Sequence, residues 1–212
     1  MTSNYLRGAV AASAILAASS AFAVNLISDG DFSTPAQGGG YTIYPGSEDG
    51  WTSTVGDGIE IGTSAVQYGL PSISVGGQNL ELNANTYGVD SYTVTGLVFG
   101  HRYLLTYDYG ARDAGGPSAA TTSFGGVVLG TDGVGQTPGT WTADSFWITA
   151  TSSSENLVLT AAGTGAPSYG NEYTNFSLTA VPELSTWAMM GLGFAGLAFA
   201  GRRTRKAVSI AA

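Results

Sequence analysis

Few side chains in this 212-residue sequence are suited to catalysis. His101 is the only histidine, cysteine is absent, and no serine stands in a context resembling an activated nucleophile. One histidine without cysteine also argues against a transition-metal site. Among the carboxylates, Glu60 and Glu81 stand out because both fall in predicted strands, where a pair could serve a glycosidase. Outward-facing, solvated carboxylates are the simpler interpretation, and we predict a protein that is not an enzyme.

A set of aromatic residues and one arginine could instead bind a sugar. Such a site needs a ring to stack on and polar groups that hydrogen-bond hydroxyls. The candidate ligand residues are Arg112, Tyr107, Tyr109 and Trp141. The two tyrosines share one face of a predicted strand, and the guanidinium could contact a hydroxyl pair or a carboxylate with two donors. The alternative is that the rings pack in the core and that Arg112 pairs only with Asp108 or Asp113.

The charge balance narrows the class of partner. Fourteen of the fifteen acidic residues lie between residues 24 and 180, where the only basic residues are Arg102 and Arg112. A surface this acidic would repel nucleic acid, so we do not expect nucleic acid as a partner. A weakly charged exterior rich in Gly, Ser and Thr suits an extracellular matrix, although many exported proteins are acidic without binding anything ionic.

The elements that must position these residues are strands. Short alternating runs are separated by clusters of Gly, Pro, Asn and Asp, and no amphipathic helix is evident. The predicted strands span residues 59–61, 79–83, 91–97, 102–109, 123–129, 141–150, 156–161 and 174–180. In each run one face is expected to be buried and the other wet, with Leu80 and Leu82 opposite Glu81, for example. We therefore predict an all-β fold, an antiparallel two-sheet jelly-roll sandwich formed by one domain over residues 24–180.

Both ends of the chain read as targeting segments. Arg7 precedes an apolar run over residues 9–18, and Ala21 and Ala23 are the small residues at the positions that a signal peptidase reads. We predict a signal peptide over residues 1–23, with a helical apolar region, and cleavage after Ala23. Because the chain has no cysteine, no disulfide framework would stabilise the exported domain.

The C-terminal segment has three adjoining parts. Pro182 and Glu183 precede an uncharged stretch over residues 184–200, which at 17 residues is just long enough to span a bilayer as a helix. Trp187 suits an interfacial position. A basic cluster follows and places the chain end, residues 207–212, in the cytoplasm by the positive-inside rule; its members are Arg202, Arg203, Arg205 and Lys206.

This arrangement over residues 181–206 resembles the PEP-CTERM sorting signal of Gram-negative bacteria, also known as the ice-binding protein C-terminal domain. Leu184 stands where the family has a second proline. The resemblance implies recognition by an exosortase, a membrane transpeptidase that cuts near the Pro-Glu pair, after export through the general secretion machinery. The protein would be anchored transiently in the inner membrane and then reach the cell surface or matrix. An ordinary tail anchor is the alternative.

The domain itself is similar to galactose-binding-like jelly rolls, which include carbohydrate-binding modules. The similarity rests on segments 25–35, 50–51, 79–83, 107–112 and 173–178, in order. Many members of that superfamily hold a structural calcium between the opening loop and the last strand. The resemblance makes Asp29, Asp31 and Glu172 candidate calcium ligands here, since calcium accepts six to eight oxygens. The alternative is that they are solvated loop carboxylates.

Two functions remain open from the sequence. The first is a non-catalytic module that holds extracellular polysaccharide, and the second is a structural surface or biofilm protein with no small ligand. An ice-binding role would need a flat, regular threonine array, and the single Thr93-Val94-Thr95 run does not make one.

Overall fold

Almost all of the regular structure consists of β-strands, as the alternation of apolar and polar residues in the sequence predicts. The computed structural model describes residues 24–63, 68–71, 77–112, 118–163, 166–181 and 190–198. These residues form twelve strands: β1 (Tyr41–Tyr44), β2 (Ser47–Glu48), β3 (Trp51–Val55), β4 (Ile59–Thr63), β5 (Gln78–Glu81), β6 (Val89–Thr95), β7 (Arg102–Ala111), β8 (Ala120–Phe124), β9 (Val127–Asp132), β10 (Trp141–Thr149), β11 (Ser154–Ala161) and β12 (Asn171–Ala180).

The strands form two six-stranded antiparallel sheets. The first sheet has the order β1-β4-β5-β12-β7-β10, and the second has the order β2-β3-β6-β11-β8-β9. Residues from both sheets contribute to one buried apolar cluster, so the sheets pack face to face. The prediction of an all-β, antiparallel two-sheet sandwich is confirmed.

Aromatic side chains fill the middle of the sandwich. Trp51 lies 5.0 Å from Phe176 and 5.9 Å from Phe32 between ring centroids, and Tyr107 stacks on Phe176 at 5.3 Å. Trp51, Phe32 and Tyr107 are all buried. Their large apolar areas are a principal source of burial energy in a chain that has no disulfide.

The alternation of faces is confirmed in β6, β11 and the second half of β12. Tyr92, Leu157 and Leu159 are buried, whereas Thr93 and Asn156, on the opposite face, are exposed. In β5 the prediction is wrong. All four residues of that strand are buried, including Glu81, because both faces of the first sheet are covered there.

Two strand predictions need correction. The run 123–129 is not one strand but the hairpin joining β8 to β9, and its turn residues Gly125 and Gly126 have φ of 56° and 80°. Two successive residues with positive φ favour glycine and suit the twist of a tight hairpin. The structure also has three strands, β1 to β3, before the first strand that the sequence predicted.

The two ends of the sandwich chain lie side by side. Asn25 forms a β-bridge with Thr179, and the Leu26 amide donates to the Leu178 carbonyl at 2.9 Å. The Val181 amide donates to the Arg102 carbonyl, also at 2.9 Å. The chain therefore enters and leaves the sandwich at the end of the first sheet where β7 begins.

The targeting segments lie mostly outside the described residues. This applies to the predicted signal peptide with Ala21 and Ala23, and to the sorting residues Pro182, Glu183 and Trp187 with the basic cluster. Residues 190–198, inside the predicted span 184–200, are helical. Across the described ranges, no helix combines the length and the apolar character that crossing a membrane requires.

Candidate functional site

Three glutamates lie side by side on the outer face of the first sheet. Glu81 on β5 is opposite Glu60 on β4 and also opposite Glu172 on β12. The residues next to them in the chain, such as Leu80 and Tyr173, point into the core. Because side chains alternate along a strand, the three glutamates project from the other face. We call Glu60, Glu81 and Glu172 the carboxylate row.

A short segment after β4 covers this row. Tyr68 and Leu70, in residues 68–71, are both buried, and the Trp141 indole N–H donates to the Pro71 carbonyl at 2.8 Å. Glycines in the sheet make room for this covering segment. A Cβ on Gly62 would lie 2.2 Å from the Tyr68 hydroxyl oxygen, and one on Gly110 would lie 2.9 Å from Leu70. The carboxylate row is therefore buried although it faces outward from the sandwich.

Arg112, at the end of β7, is the cation of this site. Its Nη1 donates to both carboxylate oxygens of Glu81, at 3.1 and 2.9 Å, and to the Ser168 carbonyl at 3.2 Å. Its guanidinium carbon lies 4.9 Å from the ring centroid of Tyr68 and 4.4 Å from that of Tyr169. The alternative of a pair with Asp108 is not what forms, because Arg112 pairs with Glu81, and Asp108 accepts a hydrogen bond from Asn175 at 2.8 Å. Asp113 lies outside the described residues.

The carboxylate row has too little positive charge for three ionised groups. Burial raises the pKa of Glu81 to about 8, with a further increase from Glu60 that Arg112 partly opposes. Burial also raises the pKa of Glu172, which is completely enclosed, and that of Glu60. The Tyr68 hydroxyl donates to Glu60 at 2.8 Å, and the Asn79 side-chain amide donates to Glu172 at 2.5 Å. These pKa shifts favour protonated carboxyls within the row.

An open cavity of about 250 Å³ adjoins the carboxylate row. It lies where β7 ends, beside Arg112, and not where β7 begins, at Arg102. Its lining residues come from β1, β4, the β5–β6 connection, the end of β7 and the segment before β12; they are Tyr41, Glu60, Ala84, Asn85, Arg112, Ser168 and Tyr169. Tyr41 is 50% exposed. The Nε of Arg112 is buried without a hydrogen-bond partner among the described residues. The cavity thus offers phenol rings, an amide and the guanidinium group of Arg112 to an incoming ligand.

A second cavity of about 300 Å³ lies in the part of the first sheet formed by β7, β10 and β12. Thr106, Asp108 and Ser145 line it, and Asn175 closes it from a bulge in β12, where its φ is 56°. Asn175 donates to Asp108 there at 2.8 Å, so these two side chains are already paired. Unlike the cavity beside Arg112, it has no cation among its lining residues.

The four candidate ligand residues do not form one site. Of the four, only Arg112 lines the cavity that adjoins the carboxylate row. Tyr107 is buried in the core, where its hydroxyl donates to Asp132 at 3.1 Å, and Tyr109 packs at the margin of that core. Trp141 packs over Gly110 and bonds to the covering segment. Tyr41, Asn85 and Tyr169 were not predicted from the sequence, because they come together only through contacts between residues distant in the chain.

The candidate calcium ligands are also separated by their contacts. Asp29 accepts hydrogen bonds from the Ser33 amide and hydroxyl, at 3.0 and 2.8 Å, and Asp31 accepts one from the same amide. Glu172 belongs instead to the carboxylate row. In the described part of the chain, no three His, Cys, Asp or Glu side chains are arranged to hold a metal ion. The predicted set of Asp29, Asp31 and Glu172 is therefore not assembled.

The simpler interpretation of Glu60 and Glu81, as outward-facing and solvated carboxylates, is only partly correct. They do face outward from the sheet, but they are buried rather than solvated. They lie directly opposite each other on neighbouring strands, and burial is the largest cause of the raised pKa of each.

No family model matches the chain, and no curated protein matches it. Among solved structures, the enzymatically active domain of bacteriophage CBA120 tailspike protein 4 is 10% identical with a TM-score of 0.48, over 74% of this chain and 22% of that one. The CBM22-1 xylan-binding domain from Paenibacillus barcinonensis is 13% identical with a TM-score of 0.42, over 69% of this chain and 99% of that one. A carbohydrate-binding module of Cellvibrio mixtus lichenase 5A, solved with cellotriose, is 17% identical with a TM-score of 0.40, over 61% of this chain and 92% of that one.

Proposed function

We propose that this chain is an exported surface or extracellular-matrix protein whose β-sandwich binds polysaccharide without catalysis. The proposed binding site is the cavity beside Arg112. The observation that carries the proposal is the state of that arginine. It is held in one orientation by Glu81, the Ser168 carbonyl and two tyrosine rings, and it lines the open cavity.

A fixed donor of this kind is well suited to a sugar. Nη1 is fully used within the protein, so the guanidinium does not have to lose conformational freedom when a ligand binds. Where the guanidinium borders the cavity, a sugar hydroxyl or carboxylate could accept a hydrogen bond from it. Tyr41 and Tyr169 supply ring surface, and Asn85 supplies both a donor and an acceptor.

The chemistry of the cavity favours a hydroxyl-rich ligand over a polyanion. Fourteen acidic residues and two arginines lie between residues 24 and 180, so a highly charged polymer such as nucleic acid would be repelled. A neutral or sparsely charged polysaccharide would not be repelled in this way.

Delivery to the surface is the second part of the proposal. The signal peptide 1–23 directs export, and the tail anchors the chain in the inner membrane until an exosortase cuts near Pro182 and Glu183. The exosortase provides the nucleophile, so this chain contributes only a recognition element and a scissile backbone. Replacing Pro182 and Glu183 with alanine should leave the tail attached in a cell that has the enzyme. Loss of the tail in that variant would refute this part.

Affinity electrophoresis tests the binding part. Residues 24–181 would be run through gels that contain neutral or uronate-bearing exopolysaccharides, with calcium or with a chelator. We expect retardation by at least one polymer, reduced about tenfold by Tyr41→Ala or Asn85→Ala. Phe99→Ala, which truncates an exposed ring at the opposite end of the molecule, should not change it. Loss on chelation would show a calcium requirement that the described residues do not explain.

Unretarded migration in every gel would favour a structural surface protein with no small ligand. One feature is compatible with that role. The outward-facing side chains of β3, β6, β8 and β11 are small and uncharged, and they include Thr52, Ser91, Thr93, Ser123 and Asn156. Such a face could pack against matrix components over a wide area.

A further inference from the structure

Exposed apolar side chains gather at the end of the sandwich opposite the cavity. Phe99 is 76% exposed and Val98 is 49% exposed, in the turn between β6 and β7. Trp147 on β10 is 58% exposed, and the guanidinium carbon of Arg102 lies 4.8 Å from its ring centroid. We call Val98, Phe99, Arg102 and Trp147 the apolar end.

The turn that carries Phe99 is well defined. The His101 amide donates to the Val98 carbonyl at 3.0 Å, and the Gly100 amide donates to the Ala150 carbonyl at 2.8 Å. The Val98 amide in turn donates to the Tyr103 hydroxyl at 2.9 Å. The backbone therefore holds two apolar side chains in water at the tip of a hydrogen-bonded turn. A large exposed apolar group fixed in this way usually marks a contact surface.

The chain leaves the sandwich at this same end. Ala180 is opposite Tyr103, and the Val181 amide donates to the Arg102 carbonyl. The predicted membrane span begins at Leu184, only three residues after Val181. Three residues can cover at most about 11 Å when fully extended. While the tail is in the membrane, Val181 must therefore lie within or next to the headgroup layer, which is roughly 5–8 Å thick on each side.

The apolar end carries an exposed positive charge. Arg102 and Arg112 are the only basic residues between 24 and 181, and Arg112 is largely buried against Glu81. Arg102 is exposed, and it lies at the end where the chain exits. The nearby Glu155 carboxylate is turned inward and accepts the Thr151 and Ser152 amides. An exposed tryptophan matches the headgroup region, where its amphipathic ring is favoured, and the stacked Arg102 side chain extends the same surface.

We propose that the apolar end docks on the surface of a phospholipid bilayer while the tail is in place. The inference rests on the proposed anchoring. In the docked state Phe99 and Val98 enter the headgroup region, with Trp147 and Arg102 at its edge. The cavity beside Arg112 lies at the other end of β7, so docking would point it away from the membrane and toward the matrix. Removal of the tail would then leave only weak apolar contacts and release the domain.

The absence of cysteine makes a direct test possible. A single cysteine is introduced at Phe99 or, as a matched control, at Val134, which is 73% exposed in the turn after β9. The Gly139 amide in the same connection bonds to the Ala111 carbonyl, which places this connection at the cavity end. Each full-length variant carries an environment-sensitive fluorophore and is reconstituted into vesicles of phosphatidylethanolamine and phosphatidylglycerol.

We expect a lipid-borne quencher to reduce the emission at position 99 at least fivefold more than at position 134. Equal quenching at the two positions in protein that floats with the vesicles would overturn the docking proposal and leave the anchoring intact. Failure of the full chain to float with vesicles would overturn both. Flotation that survives proteolytic removal of the tail would contradict the weak, releasable contact described here.

Discussion

At the scale of single residues, three glutamates share one guanidinium. Glu81 receives both contacts from Arg112, whereas Glu60 has the Tyr68 hydroxyl and Glu172 has the Asn79 amide. Burial without matching positive charge favours the protonated carboxyl. Another buried acid, Asp90, behaves similarly, because the effect of burial on its pKa outweighs that of its contact with Ser53. The response of the protein to pH should therefore differ from that of a domain with exposed salt bridges.

The domain should lose stability as the pH rises from 5.5 to 8.5. Burial raises the pKa of Glu81 and of Asp90 to about 8, above their usual values of 4.5 and 3.8. Between those limits the folded state binds more protons than the unfolded state, so the free energy of unfolding falls with pH. We expect a decrease on the order of 1–3 kcal/mol, measured by urea unfolding of residues 24–181. Asp90→Asn should flatten the slope, and an equal or greater stability at pH 8.5 than at pH 5.5 would contradict this account.

Replacing Arg112 with lysine should destabilise the domain although the charge is kept. An ammonium cannot lie flat between Tyr68 and Tyr169 while contacting both oxygens of Glu81. We expect a loss of about 1–3 kcal/mol in the free energy of unfolding. Arg102→Lys is the matched control, and its effect should be within about 0.5 kcal/mol because that side chain is exposed. Similar effects at the two positions would show that the geometry of Arg112 is not important.

At the scale of elements, periodicity predicted the strands that have one wet face. Leu157 and Leu159 alternate with exposed or half-buried neighbours in β11, and the strand was predicted to within two residues. Glu81 in β5 has the same alternation and was misinterpreted, because the covering segment that buries it comes from elsewhere in the chain. β1 to β3 are only two to five residues long and lie among glycines, which leaves too few residues for a period to show.

The covering segment should depend on the absence of a side chain at Gly62. A methyl group there would lie 2.2 Å from the Tyr68 hydroxyl oxygen, so Gly62→Ala must displace the ring and weaken its hydrogen bond to Glu60. We expect a loss of about 1–3 kcal/mol in the free energy of unfolding. Gly38→Ala is the control, because nothing lies within 4 Å of the added methyl group and its φ is not positive. If the two variants are equally stable, residues 68–71 do not cover the carboxylate row as described.

At the scale of the whole molecule, the two ends of the first sheet carry different groups. The end where β7 begins carries the chain exit, Phe99 and Arg102, and the end where β7 finishes carries Arg112 and the cavity. The sequence predicted the two-sheet sandwich and singled out Arg112, one of only two cations in the domain. It could not predict which rings would surround that arginine, because Tyr41, Tyr68 and Tyr169 are brought together only by sheet pairing and the covering segment.

The two arginines allow a direct measurement of the central claim, which is that Arg112 binds a polysaccharide. In residues 24–181 labelled with ¹⁵N, the side-chain Nε region of the NMR spectrum should contain one signal from Arg112 and one from Arg102. Titration with oligosaccharides from a polymer that retards the protein should shift the Arg112 signal saturably and leave the Arg102 signal in place. An unchanged Arg112 signal at saturating oligosaccharide, or a shift confined to Arg102, would contradict the account.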